Sequence, residues 1–248
     1  MKNGRQANGT QRYICKHCGK TQQRVYKYAA KDLVIRSLFL KCLKIGSSLR
    51  GIQYVTGIAV STQLRWIRRL GKTVKPPSEI RFNDEYELDE LCTFVGNKNK
   101  RRWVISAISK TTKQIIDIQV GTRTKRNLKL VVDKLLSLSP KAIYTDKLPH
   151  YRHLIPKALH KVKRRGINTI ERHHHNLRTH IKRLNRRTIC FSQKADVLPA
   201  LVRIYCWVCL PEAASVSQYF RSKDSTLKKQ PLSSLRGLAK INNEPLAK

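Results

Sequence analysis

The chain has 248 residues, with 52 Lys or Arg against 15 Asp or Glu, so its formal net charge is +37. A charge of this size and sign predicts a polyanionic partner, and nucleic acid is the first candidate. The N-terminus contains no apolar segment, and the longest apolar stretch (197–211) is too short for a membrane span. Seven cysteines, an odd number, argue against a secreted disulfide framework. The composition favours a soluble cytoplasmic protein that binds nucleic acid and no membrane.

Residues 1–30 are polar and basic, and they contain Cys15 and Cys18 in the stretch "CKHCGK". A structural zinc site needs four ligands, so these two thiols and His17 cannot complete a tetrahedral site. Zinc is expected here only if a second pair of cysteines is supplied.

Residues 31–75 have the pattern of a helical domain. The predicted helices cover 31–44, 48–57 and 61–71. Ser61 is a good N-cap and Gly71 a good C-terminal stop for the third helix. A short helix, a tight turn and a basic helix are typical of a helix-turn-helix. The third helix carries three arginines that we expect to bind DNA phosphates, with a solvated basic face as the alternative: Arg65, Arg68 and Arg69.

From residue 83 the pattern changes to strands. The sequence predicts strands over 86–96, 101–109, 114–121, 141–146 and 160–164, and helices over 125–139, 150–159 and 169–188. Three antiparallel strands followed by alternating helices and strands predict an α/β layered domain over 83–208. Residues 211–248 are polar and rich in Ser and Pro, which predicts a disordered tail.

Glu171 is a single acid at the start of a segment dominated by His, Arg and Lys. On a helix, its face continues through His175, Arg178 and Lys182, a spacing suited to a phosphate backbone. An apolar stripe on another face can pin the helix to a core: Ile170, Leu177, Ile181 and Leu184. Consecutive histidines at 173–175 point in different directions, so a basic DNA-facing surface is expected rather than one shared metal.

Asp146 ends a predicted buried strand, and Asp89 lies in the first strand of the same domain. Together with Glu171, these carboxylates could converge on divalent metal ions, because Mg²⁺ prefers hard oxygen ligands. Two such ions about 3.5–4 Å apart catalyse phosphodiester cleavage. The alternative for Glu171 is an acid favoured by the helix dipole. The alternative for the acidic run at 84–90 is a solvated patch, which accounts for Asp84, Glu85 and Glu90 and leaves Glu87 open.

Three stretches, "LDELCTFVG", "IYTD" and "IERHHHNLRTHIKRLNRRTICFS", resemble the catalytic region of transposases of the insertion-sequence-one family. The resemblance spans roughly 10–205 and is most specific around Glu171. It implies a ribonuclease-H-like fold with a DDE triad, in which Asp89, Asp146 and Glu171 hold two Mg²⁺ or Mn²⁺ ions. It also implies that Arg178 and Lys182 contact the DNA end.

The same resemblance implies a zinc ribbon with two Cys pairs before the helix-turn-helix, so the second pair would lie upstream of Met1. It implies a transposase that cleaves and joins double-stranded DNA at terminal inverted repeats and target sites, as a homo-oligomer in the bacterial nucleoid. Two alternatives remain at this point. One is an inactive, truncated remnant that acts only as a DNA-binding protein or repressor, and the other is a structure-selective nuclease or resolvase.

Overall fold

The structure is a computed structural model and describes residues 1–7, 9–23, 29–78, 80–162, 168–185, 192–208 and 220. The tail predicted over 211–248 lies outside these ranges except for Phe220. Among the described residues, no helix combines the length and the apolar character that a bilayer crossing needs.

The N-terminal segment forms an antiparallel sheet in the order β1-β2-β3. Its strands are β1 (Lys2–Arg5), β2 (Gln11–Ile14) and β3 (Thr21–Gln23). Cys15 and Cys18 lie in the turn between β2 and β3, which is closed by the Gly19 N–H donating to the Cys15 carbonyl at 3.0 Å. The Cys-x-x-Cys pair is therefore presented at one end of a small sheet.

Three helices follow: α1 (Leu33–Lys44), α2 (Leu49–Thr56) and α3 (Val60–Thr73). The Ser48 hydroxyl caps α2, and Gly57 ends it with a φ of 69°, a left-handed conformation that favours glycine. The α3 helix begins before the expected N-cap, so Ser61 lies inside its first turn and Ala59 precedes it without a side-chain cap. Otherwise the predicted helices match the observed ones within about two residues at each end.

Buried side chains hold the three helices together. Gln63 is fully buried and donates to the carbonyl of Ile58 at 2.7 Å and to that of Leu49 at 3.0 Å, so it ties α3 to the preceding turn and helix. Trp66 packs edge-on against Phe39 and Phe220, with ring centroids 5.1 and 5.4 Å apart. Trp66 is therefore part of the core of this helical segment.

A mixed sheet forms the second half of the chain, in the order β6-β5-β4-β7-β8. Its strands are β4 (Glu85–Val95), β5 (Asn97–Ser109), β6 (Ile115–Gly121), β7 (Ala142–Thr145) and β8 (His160–Val162). The β4, β5 and β6 strands pair antiparallel, whereas β7 runs parallel to β4 and β8 runs parallel to β7. This mixed topology fits the expected ribonuclease-H-like fold.

Helices cover both faces of the mixed sheet. On one face lie α4 (Lys125–Leu136) and the short α5 (Tyr151–Leu154), and on the other lie α6 (Asn168–His180) and α7 (Val197–Trp207). The α4 helix buries four apolar residues at helical spacing: Leu128, Val131, Val132 and Leu135. Leu198 and Val202 of α7 pack on the opposite face beside Ile170 and Leu177 of α6.

The α7 helix also contacts the helical segment. Its other side buries Ala200, Leu201 and Ile204 in the core shared with α3. The approach is closest at Gly71, where an added Cβ would lie 2.3 Å from the Ala200 Cβ and 2.5 Å from its Cα. Gly71, which the sequence marks as a helix stop, is instead a contact point within α3.

Gly71→Ala is expected to lower the free energy of unfolding by about 1–3 kcal/mol, because the new methyl group overlaps Ala200. Alanine is the better helix former, so helix propensity predicts the opposite sign. Urea unfolding measures the change. In the double variant Gly71→Ala/Ala200→Gly part of the overlap is removed, so its loss should be smaller than the sum of the two single losses. Strict additivity would contradict the proposed contact.

Candidate active site

Asp89 and Asp146 are brought together by the pairing of two parallel strands. The β4–β7 register aligns Glu85 with Ala142, Tyr86 with Ile143 and Glu87 with Tyr144. Continued along both chains, this register places Asp89 beside Asp146, the residue that follows β7. Neighbouring strands are about 4.8 Å apart, so the two carboxylates become neighbours although they are distant in sequence.

Glu90 joins these two aspartates. Each of Asp89, Glu90 and Asp146 offers a carboxylate oxygen, and these oxygens all lie within 4.8 Å of one another. Consecutive strand residues face opposite sides of a sheet. Accordingly, Asp89 faces α6, and Glu90 faces α5 on the other side. The two side chains therefore reach the same end of the sheet from opposite faces.

Glu90 is more deeply buried than Asp89, with 2% of its side chain exposed against 24% for Asp89. The hydroxyl of the fully buried Tyr151 donates to its Oε1, and Arg123 Nη1 lies 3.9 Å from its Oε2. Burial raises the pKa of Glu90 to about 7, Asp146 and Asp89 add to the rise, and the Tyr151 hydrogen bond and Arg123 oppose it. The Arg123 guanidinium also lies over the Trp103 ring, 4.0 Å from its centroid.

The α6 helix is attached to β4 at two points. The Ile170 backbone N–H donates to Glu87 Oε2 at 2.9 Å, so a buried strand carboxylate caps the first turn of the helix. One turn later, His174 Nδ1 lies 3.4 Å from Asp89 Oδ2. The buried His174 Nε2 has no hydrogen-bond partner among the described residues. These contacts fix the helix that carries Glu171 against the strand that carries Asp89.

Glu171 lies between these two attachment points. Its side chain is exposed and lines a surface cavity of about 330 Å³ that is wide open to solvent, together with Asn168, Arg172 and His175 of the same helix. Among the described residues, the group of acids that meet within 4.8 Å consists of Asp89, Glu90 and Asp146, without Glu171. The structure therefore brings two of the three expected acids together and leaves the third on the adjoining helix turn.

The three consecutive histidines do point in different directions, as their helical spacing predicts. His173 Nε2 lies 3.9 Å from Cys206 Sγ of α7, and burial lowers the pKa of His173 to about 3. His174 faces Asp89, and His175 faces the cavity. The expectation of a shared basic surface is therefore wrong for His173 and His174, which are packed between secondary-structure elements.

The solvated-patch interpretation of the acidic run is wrong for Asp84 and Glu90. Asp84 is buried and accepts hydrogen bonds from the hydroxyls of Ser109 and Thr111. Burial raises the pKa of Asp84, but these bonds and the Glu85 N–H outweigh it and leave its pKa below the ordinary value. Glu85 fits the interpretation better, because it is partly exposed and pairs with Lys110 at 2.5 Å. Sequence alone could not separate these neighbours, because their hydrogen-bond partners come from other strands and turns.

The basic helix is shorter than predicted. The α6 helix ends at His180 rather than extending over 169–188, and a 3₁₀ turn follows at Lys182–Leu184. Ile181, with φ −104° and ψ 89°, breaks the helical path between them. Lys182 is exposed in that turn, and Arg178 is half-buried on the last turn of α6. Lys182 therefore does not continue the helical face that begins at Glu171.

The three arginines of α3 occupy different environments. Arg65 and Arg69 are exposed, whereas Arg68 Nε donates to Asp196 Oδ2 at 2.6 Å. Asp196 immediately precedes α7, so this ion pair reinforces the α3–α7 contact. Arg65 and Arg69 thus present the exposed basic face of α3.

Comparisons with known proteins match the half of the chain that contains the mixed sheet and its acids. Residues 85–207 match the family described as IS1 transposase. The chain is 30% identical over 119 residues to the insertion element IS1 protein InsB of Shigella sonnei, a match covering 48% of this chain and 91% of that protein. It is also 30% identical over 119 residues to the insertion element IS1 9 protein InsB of Escherichia coli strain K12, covering 48% of this chain and 71% of that protein. The chain belongs to the IS1 transposase family. Family membership supports a role in transposition, for which DNA is the implied partner.

One solved structure with a weak similarity to this chain is a chain in the cryo-electron-microscopy structure of a simian T-cell lymphotropic virus intasome in complex with PP2A regulatory subunit B56 gamma. That match has 13% identity, covers 83% of this chain and 79% of that chain, and has a TM-score of 0.35. The similarity is loose, and the fold assignment rests on the strand order and directions described above.

The raised pKa of Glu90 predicts a pH dependence of stability. The folded pKa of about 7 lies above the ordinary 4.5, so the folded protein binds a proton more tightly than the unfolded chain. Stability from this group is present below pH 4.5 and is lost as pH rises through 7, by about 3 kcal/mol. In EDTA, Glu90→Gln should therefore lose less stability than the parent over this range.

Urea unfolding at several pH values measures the free energy of unfolding of the parent and the variant. Groups that titrate equally in both proteins cancel in the difference between the two values. Asp133→Asn is the matched control, because Asp133 is exposed on α4 and its removal changes the net charge equally. Parallel pH profiles for the parent and Glu90→Gln would contradict the assigned burial of the Glu90 charge.

Proposed function

We propose that this chain catalyses divalent-metal-dependent cleavage and strand transfer of DNA at the ends of an insertion element. The observation that carries the proposal is the side-by-side placement of Asp89 and Asp146, with Glu90, in a protein of net charge +37. Like charges held this close are costly unless a cation neutralises them. Membership of the IS1 transposase family makes phosphodiester chemistry the reaction class that such a site would serve.

Asp89, Glu90 and Asp146, which we call the acid cluster, fit Mg²⁺ or Mn²⁺. All three groups present carboxylate oxygens, the ligand type that these hard cations prefer, and they lie within 4.8 Å of one another. The elevated Glu90 pKa reflects burial and two neighbouring carboxylates, a cost that a bound cation would relieve. We propose that Asp89 and Asp146 hold two divalent ions, with Glu171 completing the site from α6.

Bound ions would activate the attacking oxygen and stabilise the leaving oxygen at the phosphodiester. The remaining tasks belong to the chain itself. Glu87 and His174 hold α6 against β4 and so fix the position of Glu171 relative to Asp89. Tyr151 holds the Glu90 carboxylate by its hydroxyl, which keeps that side chain oriented at the sheet end.

Asp146→Asn and Glu171→Gln are expected to reduce strand cleavage by at least about 100-fold while DNA affinity changes little, because each removes a metal-binding charge. Cleavage is measured with Mg²⁺ or Mn²⁺ on a duplex carrying an element end, and affinity by fluorescence anisotropy. Asp133→Asn, on the exposed side of α4, serves as the charge-matched control. Cleavage by Glu171→Gln at the parental rate would remove Glu171 from the site.

A parent protein that binds the duplex but does not nick it would point instead to a DNA-binding remnant or repressor. Nicking without joining of the freed 3′-hydroxyl to a second duplex would point to a structure-selective nuclease or resolvase. A strand-transfer assay therefore follows the nicking assay and separates these activities.

We propose that α2 and α3 form a helix-turn-helix that binds the terminal inverted repeats. The turn at Gly57 separates the two helices, and the exposed Arg65 and Arg69 supply positive charge on α3. Arg68 lies on the same helix, but it forms an ion pair with Asp196, which precedes α7. We therefore expect Arg68 to stabilise the α3–α7 contact rather than to bind DNA. Arg178 and Lys182 would contribute further phosphate contacts near the end of α6.

Arg65→Ala and Arg69→Ala are each expected to weaken binding to the inverted repeat by about tenfold, because a phosphate or base contact is lost. Arg68→Ala should instead act mainly on stability, through the lost ion pair with Asp196. Anisotropy titrations and urea unfolding of the three variants test this division. A loss of affinity for Arg68→Ala equal to that for Arg65→Ala would contradict it.

The Cys15–Cys18 turn has one property of a metal-binding turn. Backbone N–H groups of Cys18 and His17 lower the pKa of the Cys15 thiol, which favours the thiolate that zinc requires. Two thiolates do not complete a tetrahedral site. We therefore propose zinc binding only where a second pair of ligands is supplied.

Strand transfer requires two element ends to be held together. We propose that copies of this chain associate in a synaptic complex on the ends of the element, within the bacterial nucleoid. Sedimentation with and without inverted-repeat duplex tests the association.

A further inference from the structure

The end of the β4–β5 hairpin, made of Gly96 and the first residues of β5, carries a concentrated positive charge. From 97 to 102 the sequence reads "NKNKRR", six polar residues without an apolar position. Residues 96–101 are all exposed in the structure. A strand that is built to pack in a sheet alternates apolar and polar residues, so this stretch is not designed to be covered by the protein core. We call residues 96–101 the basic turn.

The basic turn has a fixed conformation. The Asn97 side-chain carbonyl accepts hydrogen bonds from the backbone N–H groups of Asn99 and Lys100, each at 3.1 Å. At its base, the Gly96 N–H donates to the Ser192 carbonyl at 2.8 Å, and Val95 forms a bridge with Ser192. Ser192 and Val95 are both buried. The turn is therefore anchored to the rest of the domain before it extends into solvent.

Among the described residues, no ion pair balances the charges of the basic turn. The sequence contains no acid between residues 91 and 116. Across the described part of the chain, the ion pairs of Asp and Glu involve other bases than Lys98, Lys100 and Arg101. These three side chains remain available to a polyanion.

The basic turn and the acid cluster lie toward the same end of the sheet. The β4 strand runs from Asp89 to Val95 before the turn begins, which at about 3.3 Å per residue places the turn roughly 20 Å beyond the cluster. Bases along one DNA strand are about 3.4 Å apart, so this distance corresponds to roughly six base pairs. A duplex that lies across the cluster and runs along the direction of β4 can therefore reach the basic turn.

We propose that the basic turn is a second DNA-contacting surface, which binds the phosphate backbone about six base pairs from the bond being cleaved. This inference rests on the proposed function, because it takes the acid cluster as the place where DNA is cut. Lysine and arginine side chains on a turn contact phosphates without reading the sequence. The same surface would therefore serve element ends and target DNA alike. The competing role for such charges is protection of the hairpin against edge-to-edge aggregation.

The test compares two triple variants that remove equal charge. The first is Lys98→Ala/Lys100→Ala/Arg101→Ala. The second is Lys113→Ala/Lys134→Ala/Lys141→Ala, whose exposed lysines lie near the opposite end of the sheet. Dissociation constants for an inverted-repeat duplex and a scrambled duplex of equal length are measured in EDTA between 50 and 200 mM salt. Circular dichroism and urea unfolding verify that both variants remain folded.

For the basic-turn variant, the slope of log affinity against log salt should become shallower by about 2 to 3 on both duplexes, since each phosphate contact contributes about 0.9. For the control variant, the slope should change by less than about 0.9, which is the contribution of one phosphate contact. Equal slopes for the two variants would overturn the proposal. Protection of the hairpin against edge-to-edge aggregation would then be the remaining role for these charges.

A length series adds a geometric readout. Duplexes centred on the cleavage site are shortened from both sides, and the affinity ratio of parent to basic-turn variant should fall toward one when fewer than about six base pairs remain on each side. A ratio independent of length would contradict the placement of the surface. The salt titrations need neither divalent ions nor a cleavage site, so they give their result whether or not the chain cleaves DNA. Failure of the cleavage proposal is therefore seen separately.

Discussion

The parallel pairing of β4 with β7 is the constraint on which the acid cluster depends. Side chains alternate along a strand, so a slip of one residue in this pairing would move Asp89 to the opposite face from its present neighbours. At the start of this pairing the Lys141 N–H donates to the Asp84 carbonyl at 2.9 Å, and the register Glu85–Ala142, Tyr86–Ile143 and Glu87–Tyr144 follows from there. Backbone pairing at one end of the two strands thus sets which carboxylates meet several residues later.

The buried acids Asp84 and Glu90 differ in how the fold compensates their negative charge. Asp84 is buried but receives two hydroxyl donors, so it is satisfied within the fold and its pKa stays low. Glu90 is buried beside two further carboxylates, with one hydroxyl donor and a guanidinium at 3.9 Å, and its pKa rises. A structural acid such as Asp84 is compensated by hydrogen-bond donors of the fold. The cluster of Asp89, Glu90 and Asp146, beside the end of β7, holds negative charge that a cation can neutralise.

Much of the secondary structure could be predicted from spacing, because apolar periodicity and glycine stops act locally. The sequence also marked Asp89 and Asp146, since acids that follow or interrupt apolar strands are conspicuous in so basic a chain. Glu90 was missed because it looks like one more acid in a run, and only Tyr151, distant in sequence, distinguishes it. The end of α6 was missed for a similar reason, because Ile181 leaves the helical path where helical spacing alone predicts that it continues.

The position of α7 has a consequence for how the molecule unfolds. Leu198 and Val202 fill the core behind the mixed sheet, while Ala200 and Leu201 on its other side fill the core of the helical segment. The α7 helix thus contributes buried side chains to two cores. Arg68 adds an ion pair with Asp196, the residue that precedes α7. Loss of that helix would expose both cores at once, so the two halves of the chain should melt as one cooperative unit and resist separation into independently stable fragments.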